Sequence, residues 1–132
     1  RLQAIVSLRA GGYNQLVLDT WFNEPQGWLD ERISAHQAIR DDLLKTIRDA
    51  RGVKARTTEG GSYLFIQFPA MDVSMQDFVK IVRRLTGIAV TPGTEFGPQF
   101  TDWFRINFSQ DHKAATDAMK RVLAVFERYR SL

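Results

Sequence analysis

Hydrophobic and polar positions along the chain fall into a few clear periods. Over 28–51 the apolar residues recur at helical spacing. Leu29, Ile33, His36, Arg40, Leu43 and Ile47 form one stripe, with Ile39 and Ala50 beside it. Asp30 and Glu31 lie in the first turn and Arg48 and Arg51 in the last, as the helix dipole favours, and Gly52 is a natural stop. This predicts one long helix. Before it, residues 1–22 carry a weaker helical pattern broken at Gly11-Gly12, which predicts two short helices with a bend, and 23–27 reads as a turn.

After the long helix the period changes to two. Residues 53–57 are a short candidate strand. Residues 62–68 are the strongest one, with Leu64, Ile66 and Phe68 on one face and Tyr63, Phe65 and Gln67 on the other. Ser74 to Asp77 resembles a capping box and opens a helix whose buried stripe is Phe78, Ile81, Val82 and Leu85, ended by Gly87. Residues 88–90 read as a short strand running into a stiff loop with Pro92, Gly93, Gly97 and Pro98. Residues 103–108 form another strand. Phe104, Ile106 and Phe108 face one way, and Trp103, Arg105 and Asn107 the other. A last helix, capped by Ser109, buries Ala115, Met119, Val122 and Phe126.

This order predicts an α+β fold: a small mixed or antiparallel sheet with helices packed on one face, preceded by a long helix. The second sheet face, with Tyr63, Phe65, Trp103 and Arg105, is too apolar to be simply solvated, so something is expected to cover it. The domain reading is a leading segment, 1–27, and a compact domain, 28–132.

Composition narrows the chemistry. The 132 residues include no Cys, so disulfides, thiolate metal sites and Cys nucleophiles are excluded. Two His, His36 and His112, argue against a His-rich metal site. A net charge of +3 is too dilute to argue for nucleic acid. No apolar run reaches the roughly 20 residues of a membrane helix. The chain opens at Arg1 inside a helical pattern, without a leader layout, which suggests a piece of something longer.

Arg105 stands out. It sits mid-strand on the face opposite the core stripe. A guanidinium fork on a rigid strand could clamp a carboxylate bidentately. The alternative is an arginine on a wet sheet face, or one paired with a local Asp. His36 reads as a packed histidine and His112 as a solvent-exposed one. No acid pair has a spacing that argues for acid–base work, and no Lys sits in an apolar setting. The residues thus offer a binding clamp and no catalytic centre.

In this order the segments resemble the C-terminal part of a fold-type I, pyridoxal-phosphate-dependent aminotransferase of class I/II. Residues 35–41 (Ala-His-Gln-Ala-Ile-Arg-Asp) look like the family's interdomain helix. Glu59-Gly60-Gly61-Ser62-Tyr63-Leu64-Phe65 is similar to its Gly-Gly-x-aromatic strand start. Residues 88–97 look like its V-x-PG-x-x-FG loop, and Phe104-Arg105-Ile106-Asn107-Phe108 like its arginine strand. The resemblance implies that Arg105 holds the substrate α-carboxylate, with Tyr63 near the substrate. It implies that Pro92, Gly93, Phe96 and Gly97 form an active-site loop, and that Tyr13, Asn14 and Gln15 lie near a dimer interface. It further implies a cytoplasmic, homodimeric parent that moves an amino group between an amino acid and a 2-oxo acid with pyridoxal 5'-phosphate. The family's cofactor lysine and phosphate ligands belong to a segment upstream of Arg1, so no cofactor is expected on these residues alone, no catalytic residue or metal site is assigned, and the segment alone is expected to be inactive. Neither nucleic acid nor a membrane is expected as partner. The competing reading is a small binding module whose Tyr63/Phe65/Trp103/Arg105 face takes single-stranded nucleic acid or a free amino acid.

Overall fold

The computed structural model describes residues 11–131. Its elements are α1 (Gly12–Phe22), α2 (Trp28–Asp49), β1 (Lys54–Ala55), β2 (Tyr63–Gln67), α3 (Met75–Thr86), β3 (Thr91–Pro92), a 3-10 turn (Gly93–Phe96), β4 (Trp103–Asn107) and α4 (His112–Tyr129). Contacts divide the chain into two units that meet between Ile33 and Ser34, within α2.

In the first unit, α1 starts at Gly12 with Gly11 as its N-cap, so the glycine pair sits at a helix start. The expected helix before that pair lies outside the described residues. No residue of α1 is buried, and Tyr13, Leu16, Trp21 and Phe22 are all exposed. Leu29 and Ile33 are exposed as well, so the buried stripe of α2 begins only at Ile39 and continues through Leu43, Leu44 and Ile47.

The second unit is built on a four-stranded antiparallel sheet in the order β1-β2-β4-β3. The central pair is β2 with β4, in the register Tyr63↔Asn107, Phe65↔Arg105 and Gln67↔Trp103. Leu64, Ile66, Phe104 and Ile106 point to one face and join α2, α3 and α4 in a single core. Phe68 stacks on Phe126 with ring centroids 4.1 Å apart and meets Phe78 edge-on at 5.4 Å. The α+β class with helices on one sheet face is therefore what the chain adopts, in its antiparallel form.

Three local expectations change. Residues 88–90 are not a strand. The ladder to β4 is only two residues long, Thr91↔Arg105 and Pro92↔Phe104. Leu85, at the end of α3, is 53% exposed. The cap of α4 is Asp111, whose carboxylate accepts from Ala114 N at 2.9 Å, while Ser109 N donates to Asn107 Oδ1. Ser109 has another partner: its hydroxyl is 2.8 Å from His36 Nε2. His36 is half-buried against the ring of Phe108, and exposed His112 pairs with Asp42 at 2.8 Å. Both histidines thus tie α2 to the corner between β4 and α4.

Candidate functional site: an arginine on the aromatic sheet face

Strand alternation decides what the second face carries. Tyr63, Phe65 and Gln67 of β2, Trp103, Arg105 and Asn107 of β4, and Thr91 of β3 all share it through the register. Phe65 sits at the centre of a ring cluster. It stacks on Trp103 at 4.9 Å and meets Phe100 at 5.1 Å and Phe96 at 5.8 Å edge-on. These rings engage one another, which accounts for the apolar surplus on this face.

Arg105 lies directly across the ladder from Phe65, half-buried, with Thr91 on its other side. Its Cζ is 4.4 Å from the centroid of Tyr63 and 4.7 Å from that of Phe96. Among the described residues its side chain makes no hydrogen bond or ion pair. Other arginines do: Arg40 binds Asp41 and the Thr58 carbonyl, and Arg121 donates to the Thr86 carbonyl. A half-buried guanidinium that leaves its in-plane donors to something else is suited to binding a carboxylate or another oxyanion.

The loop around Pro92, Gly93, Phe96 and Gly97 is fixed by close backbone approach. Gly93 is buried, and a Cβ there would lie 2.5 Å from the Phe100 carbonyl oxygen and 2.7 Å from Trp103. Gly97 ends the turn at φ +149, a region glycine tolerates. Thr94 accepts a 3.1 Å hydrogen bond from Gln76 Nε2 in the first turn of α3. That turn is itself capped. Asp77 N donates to Ser74 Oγ, and the Ser74 hydroxyl on the Asp77 carboxylate, followed by Lys80, holds that carboxyl below its usual range.

The fold therefore brings Arg105, Tyr63 and Phe96 together and sets Pro92, Gly93 and Gly97 beneath them as scaffold, with Pro92 on the core side opposite Phe104. Tyr13, Asn14 and Gln15 lie on α1 in the other unit, exposed. Phe100, which completes the ring cluster, was not legible in the sequence. It sits in an irregular stretch where no period marks a face.

The expected cofactor, pyridoxal phosphate, needs an amine shielded from water to form its Schiff base. All five lysines, Lys45, Lys54, Lys80, Lys113 and Lys120, are exposed. The described residues do not fit that group. No cluster of three or more His, Asp or Glu among them could hold a metal either. No helix among them is long and apolar enough to cross a membrane.

The family model for aminotransferase class I and II matches residues 12–122. The chain is 29% identical to the LL-diaminopimelate aminotransferase of Nitratidesulfovibrio vulgaris strain Hildenborough, over 90% of this chain and 26% of that protein. It is similar to an aspartate aminotransferase of Rhodobacter sphaeroides 2.4.1 known from a crystal structure: 55% identity and a TM-score of 0.90, covering 98% of this chain and 33% of that one. A PLP-bound putative aminotransferase from Clostridium difficile 630 shares the fold at 23% identity and a TM-score of 0.71, over 80% of this chain and 27% of that one. The chain thus spans between about a quarter and a third of the length of these relatives.

Proposed function

The chain belongs to the aminotransferase class I and II family, and from that premise we propose that it is the substrate-carboxylate-binding small domain of a pyridoxal-phosphate-dependent aminotransferase. Arg105 is the anchor for the α-carboxylate. The observation that carries this reading is the half-buried guanidinium mid-strand on the aromatic face, unpaired among the described residues.

In this reading the planar fork of Arg105 takes both carboxylate oxygens and so fixes the substrate about its Cα–carboxyl bond. Tyr63 and Phe96 keep water from the faces of the guanidinium. The cofactor, its lysine and its phosphate ligands are supplied by the rest of the parent protein, and residues 1–132 alone do not turn over. The small domain runs over 28–132, with 1–27 leading in from the rest of the protein, and Tyr13, Asn14 and Gln15 serve a homodimer interface in the cytoplasm. The 55% identical relative is an aspartate aminotransferase, which supports aspartate as the amino donor. The ring cluster does not favour a base-stacking module, since Phe65 and Trp103 already stack on each other.

The test is made in the full-length protein. Removing one partner of a bidentate charge pair costs about 2–5 kcal/mol, so Arg105→Ala lowers kcat/KM by about two to three powers of ten. Arg105→Lys fails too, because an ammonium lacks the planar fork. The visible cofactor spectrum and the fold stay normal in both. Near-normal kcat/KM in Arg105→Lys, or an unfolded Arg105→Ala protein, would make Arg105 a structural residue and overturn the assignment.

A further inference from the structure

Two rings reach the Arg105 guanidinium from different elements. Tyr63 comes from the neighbouring strand β2, one step diagonally along the ladder, and its ring centroid is 4.4 Å from Cζ. Phe96 comes from the 3-10 turn, at 4.7 Å. Phe65, directly opposite Arg105, is instead engaged with Trp103, Phe100 and Phe96.

Phe96 is 44% exposed, yet its place is determined from three sides. Phe65 meets its ring edge-on at 5.8 Å. Gln76 holds Thr94 from α3. Gly93 seats the turn so closely on the backbone of Phe100 and Trp103 that a side chain there has no room. An exposed aromatic on a turn fixed at three points, with its face toward a cation, is placed for that cation.

We infer that Phe96, together with Tyr63, is a positioning residue for Arg105, one that sets the plane of the guanidinium so that its N–H edge meets the substrate carboxylate. The inference rests on the reading of Arg105 as the carboxylate anchor. All guanidinium donors lie in the plane of the group, and its weakly hydrated faces are attracted by the ring quadrupole. Rings that stack on those faces leave the donors unused and limit the rotamers of a long side chain. The ordering of Arg105 is completed before substrate arrives, and binding no longer has to supply it. Because that ordering serves ground state and transition state alike, its loss falls on KM.

The experiment uses the full-length enzyme loaded with its cofactor. Phe96→Leu raises KM for both amino acid and 2-oxo acid by about threefold to thirtyfold and leaves kcat within about threefold. Phe96→Tyr and Phe96→Trp, which keep a π face, restore KM. In an Arg105→Ala background, Phe96→Leu has no further effect on kcat/KM. Phe96→cyclohexylalanine keeps the volume without the quadrupole. It reproduces the KM increase, and it carries the test if the Leu variant does not fold. An unchanged KM in Phe96→Leu or Phe96→cyclohexylalanine, a failed rescue by Tyr and Trp, or a Leu effect that persists without Arg105 overturns the positioning role while the anchor stands. An Arg105→Ala enzyme with unchanged kcat/KM overturns the anchor itself, and the positioning role falls with it.

Discussion

The two faces of the β2–β4 ladder are built from alternate residues of the same two strands, yet they live in different chemistries. On one side Leu64, Ile66 and Phe104 are wholly buried, closed over by α2, α3 and α4. On the other, Phe65, Trp103 and Arg105 are half-buried and Tyr63 is exposed, covered among the described residues by a turn and its rings. The first face is filled by aliphatic and aromatic volume with no polar atom to satisfy. The second holds the Arg105 guanidinium, which has no anionic partner among the described residues. The contrast teaches that a ten-residue ladder can carry fold and recognition at once, because the pleat keeps the two sets of side chains apart. Substitution on one face should leave the other intact.

That separation can be broken from the core side first. Phe104→Ala removes a fully buried ring next to Arg105 in sequence. It is expected to destabilise the protein by about 3–5 kcal/mol, read by denaturant titration of the full-length enzyme. The folded fraction should retain its KM. If KM rises as steeply as stability falls, the two faces are coupled and the contrast fails. The Arg105 variants give the opposite pattern, with activity lost and stability kept. Gly93→Ala is the intermediate case. The added carbon meets backbone, which cannot rotate away, so the turn must shift. A loss of about 1–3 kcal/mol is expected, as for overpacking elsewhere, together with a raised KM through Phe96. A Gly93→Ala enzyme with normal KM and stability would show that the turn relaxes freely.

The smallest expected effect sharpens how α3 supports that turn. Asp77 is exposed, and its carboxyl titrates below the ordinary carboxylate range because the Ser74 hydroxyl, and then Lys80, favour the charged form. A carboxyl lowered in the folded state stabilises above its unfolded pKa, and the contribution is lost as pH falls through the folded value. Asp77→Asn should therefore lower Tm slightly at neutral pH, with the gap to the unmodified protein closing in acid. A gap independent of pH between neutral and strongly acid solution would mean that the charge contributes nothing.

Most of this contrast is legible in the sequence because alternation is a strong signal. The sides taken by Leu64 and Phe65, or by Phe104 and Arg105, follow from counting. What counting misses is where a third element lands. Phe96 and Phe100 lie in a stretch shaped by Gly93, Gly97 and Pro98, and their approach to Arg105 and Phe65 depends on tertiary placement of the turn. Residues 88–90 have strand-like composition, but only Thr91 and Pro92 reach β4 in register. Ser109 resembles a helix cap, yet its hydroxyl serves His36, and Asp111 two residues on takes the capping position. Leu29 and Ile33 follow the α2 stripe faithfully but lie before the core of the second unit begins.

The order β1-β2-β4-β3 has a kinetic side. The central pairing joins Tyr63 to Asn107 and Gln67 to Trp103, residues far apart along the chain. Closing that long loop costs entropy before any ladder hydrogen bond repays it. Within the loop, α3 has its own N-cap at Ser74 and a left-handed stop at Gly87, so it can form and shorten the path. The contacts of Arg105 with Tyr63 and Phe65 therefore need the docking of two distant strands, whereas those with Phe96 and Thr91 lie within a single short stretch of chain.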